Sequence, residues 1–491
     1  MPVILDRLSD LTLHDAWRVG FENAEAAFSP RAKVRIDECR QAFERLLASG
    51  NAGFVYGSTA APGARAKVPL SPDKQERLAK SQNLFAPRAF GGGNKWVPEH
   101  AVRLVLLARA AGYIEGHGRV RPETAEWVVS LLSRPVPEMP FDAATGPGEV
   151  MPLSWLYPRL SEVDLAPGEI MSLYNGSPCA TGFVTDAALT ASRRLALCER
   201  VFALAIEAVA APLDAYDPAL LDITADPHQC GVLSRLNEHL SGVPSRDRLP
   251  HQAPVSWRII PGVLGTAAKA VHDASETALQ SLRSVAHNPV YLPPDSIHPD
   301  GRAISPGGFH NHQASRAIDI LNAAAADICA LATKLTARLL DGAPFGLPKL
   351  LVPEDSGVIG TEFLAWSQTS HAERARQAAA PAVLTIGLED PGGGQSDVAA
   401  PVFLAFERHL EAWDSVEATL ATLAVAVAEA FRITTRPPPP RLKEFHKAID
   451  EIVAPFELES IAELGESLRN VKGAMSDAIL GRGRLAPLIQ P

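Results

Sequence analysis

Basic residues are too few in this chain for it to work as a binder of polyanions. Its 491 residues carry 46 Lys and Arg against 56 Asp and Glu, a formal charge of −10. Nonspecific association with nucleic acid or an anionic membrane needs a positive field, so neither is expected as a partner. The first residues, MPVILDRLSD, lack a basic start followed by an apolar core, so no secretory signal is expected. Apolar stretches such as residues 420–427 are too short and too rich in Ala to span a bilayer. Only five cysteines occur: Cys39, Cys179, Cys198, Cys230 and Cys329. They are scattered, odd in number and free of C-x-x-C spacing, which excludes a disulfide framework and points to a reduced, cytoplasmic chain. Strand-like alternation is scarce, and no short internal repeat is evident.

Helical periodicity is what the chain has instead. Ile318, Leu321, Ala325, Ile328, Leu331, Leu335 and Leu339 recur every three or four residues, as do Phe406, Leu410, Trp413, Leu420, Leu423, Val427 and Phe431. Thr185-Asp186 reads as the cap of a helix running to about Ala211 and ended by Pro212. Ala dominates these segments and suits close helix packing. Gly- and Pro-rich loops at residues 61–64, 91–93, 145–148, 305–308 and 391–394 separate them, and such loops on a rigid frame are where binding groups concentrate. Arg436 and the four prolines after it read as an extended spacer before a last helix over residues 442–453. The expected fold class is all-α, a long central helical bundle. Chain length implies two or three subdomains. We place them at residues 1–185 (N-terminal, loop-rich), 186–435 (long-helix bundle) and 436–491 (C-terminal extension).

Ordered motifs give these elements a family likeness. Val55-Tyr56-Gly57-Ser58-Thr59 begins like Y-G-x-N-T-G-F-G. Asn83-Leu84-Phe85 is like N-L-L, and Arg103, Leu106, Leu107 and Arg109 fall as in V-V-R-A-x-x-L-L-R. EIMSLYNGS (169–177) is like E-G-L-A-L-I-N-G-T, and QAPVSWRIIP (252–261) is like Q-D-x-Y-S-L-R-C-x-P. Asn288-Pro289, Gly307-Gly308-Phe309-His310 and Leu388-Glu389-Asp390 follow in order. The chain thus resembles the histidine/phenylalanine ammonia-lyase family from about residue 50 to residue 430. That resemblance implies the ammonia-lyase fold and a homotetramer with active-site loops meeting between subunits. The stripes on residues 318–339 and 406–431, more apolar than one chain would readily cover, agree with assembly.

One departure governs the chemistry. Where the family carries G-A-S-G-D-L-A-P-L, this chain reads Thr145-Gly146-Pro147-Gly148-Glu149-Val150-Met151-Pro152-Leu153. The family's Ala-Ser-Gly cyclises into an electrophilic methylidene-imidazolone, whose methylidene carbon comes from the serine side chain. Proline has no hydroxyl to lose, so no cofactor is expected. Other positions differ too: Val255 stands at a second family tyrosine, Ala253 at an aspartate, Gly262 at a glutamine and Gly308 at an asparagine. Asn175, Asn288, Phe309 and Glu389 are retained.

By the resemblance, Tyr56 is the base that removes the β-proton and Arg258 the guanidinium that clamps a carboxylate. The alternatives are a packing tyrosine and a surface ion pair; Trp257, Ile259 and Ile260 argue against a solvated face for Arg258. Asn175 either binds ligand or braces its loop. Asn288 and Glu389 lie near substrate carboxylate and amine in the family, or else make a turn contact or a helix cap. Phe309 belongs to the same substrate-binding set. Arg88, ungapped after Asn83-Leu84-Phe85, falls at the selectivity position and would suit a second anionic group, unless residues 91–93 shift the register and leave it solvated. His310 and His312 lack a third ligand nearby, so no metal site is expected. The function expected is cofactor-free elimination or isomerisation on an amino acid or related carboxylate, a lyase-like activity that is not standard histidine or phenylalanine ammonia-lysis. The alternative is an inactive homologue serving as a binding or scaffold protein.

Overall fold

A computed structural model describes residues 1–80, 95–141, 148–157, 160–383 and 397–490. Its helices are, in order, α1 (Leu13–Gly20), α2 (Pro30–Ala48), α3 (Pro72–Lys80), α4 (Glu99–Ala111), α5 (Pro122–Ser130), α6 (Val150–Trp155) and α7 (Glu169–Tyr174). Then come α8 (Pro178–Ala208), α9 (Pro227–His239), α10 (Val255–Arg258), α11 (Ile260–Leu282) and α12 (His312–Asp341). The last are α13 (Phe363–Ala378), α14 (Val402–Thr434), α15 (Lys443–Asp450) and α16 (Leu464–Ile479). Among the described residues, sheet is limited to a parallel pair, β1 (Val3–Leu5) with β2 (Ala26–Phe28), and an antiparallel pair, β3 (Val290–Leu292) with β4 (Arg302–Ile304). The fold is all-α, as the periodicity predicts.

Local chemistry starts several of these helices. Thr12 and Asp15 form a capping box on α1. The Ser29 hydroxyl accepts from Ala32 N at 3.0 Å with Pro30 in the first turn of α2. Asp226 accepts from Gln229 N at 2.8 Å ahead of Pro227 in α9. The expected cap at Thr185-Asp186 is wrong. Helix α8 begins at Pro178, and Thr185 lies inside it, its hydroxyl donating to Thr181 O at 2.7 Å. Asp186 pairs with His100 at 3.1 Å. No cap is visible nearby in the sequence because the capping group comes from a distant loop, as described below.

The chain divides into two compact units, and the division passes through α8, α11, α12 and α14. The first unit holds Met1–Leu189, Ala274–Ile318 and Pro381–Glu407. Its centre is α4, which meets α8 so closely that a Cβ on Gly182 would lie 2.7 Å from Val105 N. Phe183 stacks on Phe406 at 4.4 Å. Buried Arg103 donates to the carbonyls of Val19, Ala24 and Leu132, tying the end of α1, the loop after it and the turn after α5 to α4.

The second unit holds Thr190–Asp273, Asp319–Ala380 and Arg408–Pro491. Trp413 is fully buried, with the Arg194 guanidinium 5.6 Å from its ring and paired to Glu417 at 2.8 Å. Buried Glu207 receives Arg436 at 2.7 Å and also pairs with Arg248. Arg436 thereby pins the start of the proline-rich spacer. Beyond it the expected last helix appears as α15, and a further helix, α16, follows.

The apolar stripes behave differently from expectation. Ile318, Leu321, Ala325, Ile328, Leu335 and Leu339 are each 0 % exposed, and Trp413, Leu420 and Leu423 likewise. The chain covers these stripes by itself. Helix α12 is long and apolar enough by composition to cross a membrane, but its apolar side is packed inside the protein.

Candidate functional site

Several segments of the first unit meet around Gly148 and Glu149. The first carries Tyr56, held by a tight turn in which Ser58 N donates to Val55 O at 3.0 Å and Val55 N to the Thr59 hydroxyl at 2.8 Å. The phenol oxygen accepts the Gly63 N–H at 2.8 Å. Burial raises the pKa of this half-buried phenol above its ordinary value of 10.0, while the Gly63 N–H and the Asn175 side chain pull the other way. Tyr56 is therefore protonated near neutral pH. Gly57 is required beside it: its φ is +68°, and a Cβ would fall 1.9 Å from Met171 Cγ of α7.

Helix α7 supplies the second segment. Asn175, 6 % exposed, ends the helix, its backbone N–H donating to Met171 O at 2.9 Å and its amide facing Met171 Sδ at 3.7 Å. Two residues on, the Ser177 hydroxyl donates to Gly308 O at 3.1 Å, joining this segment to the loop that carries Phe309. Phe309 in turn lies against Gly148. Gly148 has φ +62°, and a Cβ there would meet the Phe309 ring at 3.2 Å. Tyr56, Asn175, Phe309 and Gly148 are thus linked contact by contact.

Sequence reasoning missed a strongly perturbed carboxyl in this region. Glu149 follows Gly148 directly and is 1 % exposed. Its carboxylate accepts the N–H groups of Cys179 at 2.5 Å and Ala180 at 2.7 Å, so it caps α8 from outside the helix. Burial pushes its pKa up from 4.5 to about 7, against the two backbone donors and the Arg109 charge. The Cys179 thiol is raised well above 9.0 by burial and by Glu149, so it stays protonated and inert as a nucleophile. The available signal was an acid in the position that follows the family triad.

Arg109 braces the remaining segment. Its Nη1 donates to Ser172 O at 2.9 Å and reaches His287 Nδ1 at 3.2 Å. The other ring nitrogen, Nε2, contacts Gly112 O at 2.9 Å. The hydrogen-bond pattern assigns the proton to Nε2, leaving Nδ1 as acceptor. Burial, then the Arg109 charge, holds the imidazole well below 6.5, so it is neutral. His287 positions Asn288, whose buried Oδ1 has no hydrogen-bond partner among the described residues.

Other expected site residues stand elsewhere. Arg258 belongs to the second unit and is exposed, with Nε donating to Ala253 O at 3.1 Å. Its apolar neighbours did not predict this, because Trp257 and Ile260 point inward at 0 % exposure while Ile259, at 44 %, shares the outer side. Val255 and Ser256 line an open cavity of about 790 Å³ in that unit, with Ile259, Lys334 and Arg338. Arg88, Gly146, Pro147 and Glu389 lie outside the described residues. His310 Nε2 donates to Ala399 O at 3.3 Å, and no metal-binding group of three His, Cys, Asp or Glu occurs among the described residues.

With this geometry in place, the sequence profile of the aromatic amino acid lyases matches residues 11–160 and 157–451. The chain belongs to the aromatic amino acid lyase family. Among its lyase relatives, histidine ammonia-lyase of Burkholderia multivorans is 25% identical over 479 residues, covering 91% of this chain and 92% of that one. Histidine ammonia-lyase of Bacillus subtilis is 27% identical over 404 residues, 76% and 77% of the two chains. Solved structures share the lyase fold. Ergothionase from Treponema denticola superposes with a TM-score of 0.85 at 18% identity, covering 97% of this chain and 99% of that one. Tyrosine aminomutase from Streptomyces globisporus gives 0.85 at 21% identity, covering 97% of each.

Proposed function

We propose that this member of the lyase family acts on an amino acid or related carboxylate without a methylidene-imidazolone group, by elimination or isomerisation. Pro147 carries this reading: the residue that would have to lose a hydroxyl has none. The rest of the donor set does not suit the group either. Gly148 is packed at φ +62° against Phe309, and the acid after it is a buried glutamate engaged in capping α8. No step is therefore routed through that electrophile. What remains around the loop is a phenol, an amide and an apolar ring: Tyr56, Asn175 and Phe309.

Without an electrophile to activate an amine, the substrate needs a more acidic C–H or a better leaving group than ammonia. In the step we propose, Tyr56 as phenolate takes the proton from carbon. The C–H electron pair becomes the new C=C bond, and the leaving group departs with the electrons of its own bond. Arg258, Asn288 and Glu389 hold the substrate's charged ends, with Arg88 selecting a second anionic group. The family resemblance implies a homotetramer in which a clamp of this kind is completed at a subunit junction. A cytoplasmic location belongs to this reading, supported by the five scattered cysteines, none in a disulfide among the described residues.

The relatives support the reaction class, since ammonia-lyases eliminate and aminomutases isomerise. The structure of ergothionase, an ergothioneine-degrading enzyme, solved with desmethyl-ergothioneine sulfonic acid, extends the fold to a further degrading reaction. The test is to incubate purified protein with a panel of amino acids and β-substituted carboxylates, following alkene absorbance and isomer composition. Turnover is expected for at least one member, rising with pH towards 10 because the phenol must ionise, and reduced at least about a hundredfold in Tyr56→Phe. Ligands that bind without turnover, and that bind Tyr56→Phe equally well, would replace this reading with the scaffold one.

A further inference from the structure

The second unit holds a cavity that the proposed reaction does not use. It encloses about 460 Å³ between α8 beyond Thr190, α9, and α11 before Asp273, enough for a small metabolite. Glu199 is the buried acid on its wall, at 1 % exposure. Arg235 engages it with two nitrogens, Nε at 2.9 Å and Nη2 at 2.8 Å. The third, Nη1, makes no hydrogen bond among the described residues. Gly231, one turn earlier on α9, leaves room beside it: a Cβ there would sit 3.3 Å from that nitrogen.

Arg200 contributes a second guanidinium. It has no carboxylate within ion-pair distance among the described residues. Its Nη1 donates to Ala196 O at 2.7 Å, and Nη2 is 3.5 Å from Gln490 O. Glu238, the other acid on the wall, is exposed and lies 3.7 Å from Arg441. Three imidazoles complete the lining. His228 and His272, from α9 and α11, have ring centroids 5.1 Å apart. The Nε2 of His239 is buried with no hydrogen-bond partner.

We propose that this cavity binds a small oxyanion, the carboxylate or phosphate group of a metabolite, held by Arg200 and the free Nη1 of Arg235 with imidazole N–H groups beside them. The charge count favours an anion: Arg235 and Glu199 neutralise each other, Glu238 lies beside Arg441, and Arg200 is left without a paired carboxylate among the described residues. His239 reports the same field. Burial, then Arg200, Arg235 and Arg441, push its pKa down to about 4, so it is neutral at physiological pH and free to donate. A cation would meet the opposite environment. The cavity lies wholly in the second unit, whereas Tyr56 belongs to the first.

The test titrates the full chain with inorganic phosphate and, separately, with succinate at constant ionic strength, read by calorimetry. One saturable site per chain is expected, weakened roughly tenfold or more by Arg200→Gln and less by Arg200→Lys. The tighter of the two anions identifies the group recognised. Tyr56→Phe should bind both as wild type does, which separates this site from the proposed reaction centre. In the liganded protein, NMR should show the His239 imidazole pKa moving up from about 4, a change lost in Arg200→Gln. Undiminished affinity in a folded Arg200→Gln variant, or no saturable binding of either anion to wild type, would overturn the proposal.

Discussion

The Glu149 carboxylate accepts the Cys179 backbone N–H at 2.5 Å, across 30 residues of chain. This contact ties the segment that begins at Gly148 to the start of α8, the longest helix of the first half of the chain. The cap is made by Glu149 alone and does not depend on the identity of the residues before Gly148.

The chain should carry no modification at residues 145–148. Intact mass spectrometry is expected to match the unmodified sequence, since Pro147 has no side-chain hydroxyl to eliminate. Histidine, phenylalanine and tyrosine should correspondingly give no urocanate, cinnamate or coumarate. A mass deficit of two waters localised to this loop would refute the cofactor-free reading.

Glu149 should make stability depend on pH with a definite sign. Its pKa is 4.5 when unfolded and about 7 when folded, so between these values the folded chain holds more protons than the unfolded one. Stability from this group is fully present below about 4.5 and is lost as pH rises through 7, a loss on the order of 2–4 kcal/mol. The buried histidines His287 and His409, held below 6.5 by burial, act with the opposite sign. Comparison with Glu149→Gln therefore isolates the term. Denaturant unfolding from pH 5 to 8 should show a steeper decline for wild type than for the variant, whose amide also costs about 1–3 kcal/mol at every pH by opposing one N–H with another. Parallel profiles would show that Glu149 does not titrate in this window.

Arg258 should anchor a carboxylate in the assembled protein. Once a ligand is found, Arg258→Ala is expected to weaken it by about 2–4 kcal/mol if the assembled site excludes water. Arg258→Lys should restore part of the loss, because a point charge cannot reproduce the guanidinium fork. Equal affinities across folded, equally assembled proteins would leave Arg258 as the exposed residue it is in the single chain.

Assembly is the fourth expectation. The long stripes are covered within one chain, so the argument for a homotetramer moves to the apolar groups left outside. Val255 is 59 % exposed, Ile259 44 %, Phe363 55 % and Trp366 66 %. Sedimentation velocity at micromolar concentration should give a tetramer, and charged substitution at Trp366 should weaken it. A stable wild-type monomer would exclude the shared site proposed for Arg258.

Helix content and the positions of the long helices were legible because a 3.6-residue apolar period is a local property of the sequence, and the residues on the α12 stripe are the ones that are buried. The start of α8 was not. Its cap is supplied by Glu149, and a contact between residues so far apart leaves no local pattern at Thr185-Asp186 or at Pro178. The exposure of Arg258 is not legible for a related reason: apolar neighbours in sequence need not share its side of a short helix.

By itself the sequence determined the all-α class, the family likeness and the absence of a serine hydroxyl at residue 147, each of which depends only on which residue types stand in which order. Tertiary structure alone decided that Tyr56, Asn175, Phe309 and Gly148 form one linked set, that Glu149 is a buried cap with its pKa near 7, and that Arg200 and Arg235 open onto one cavity. Those facts depend on burial and on pairing across the fold, which set the cost of a charge and the direction of a hydrogen bond and have no counterpart in the order of residues.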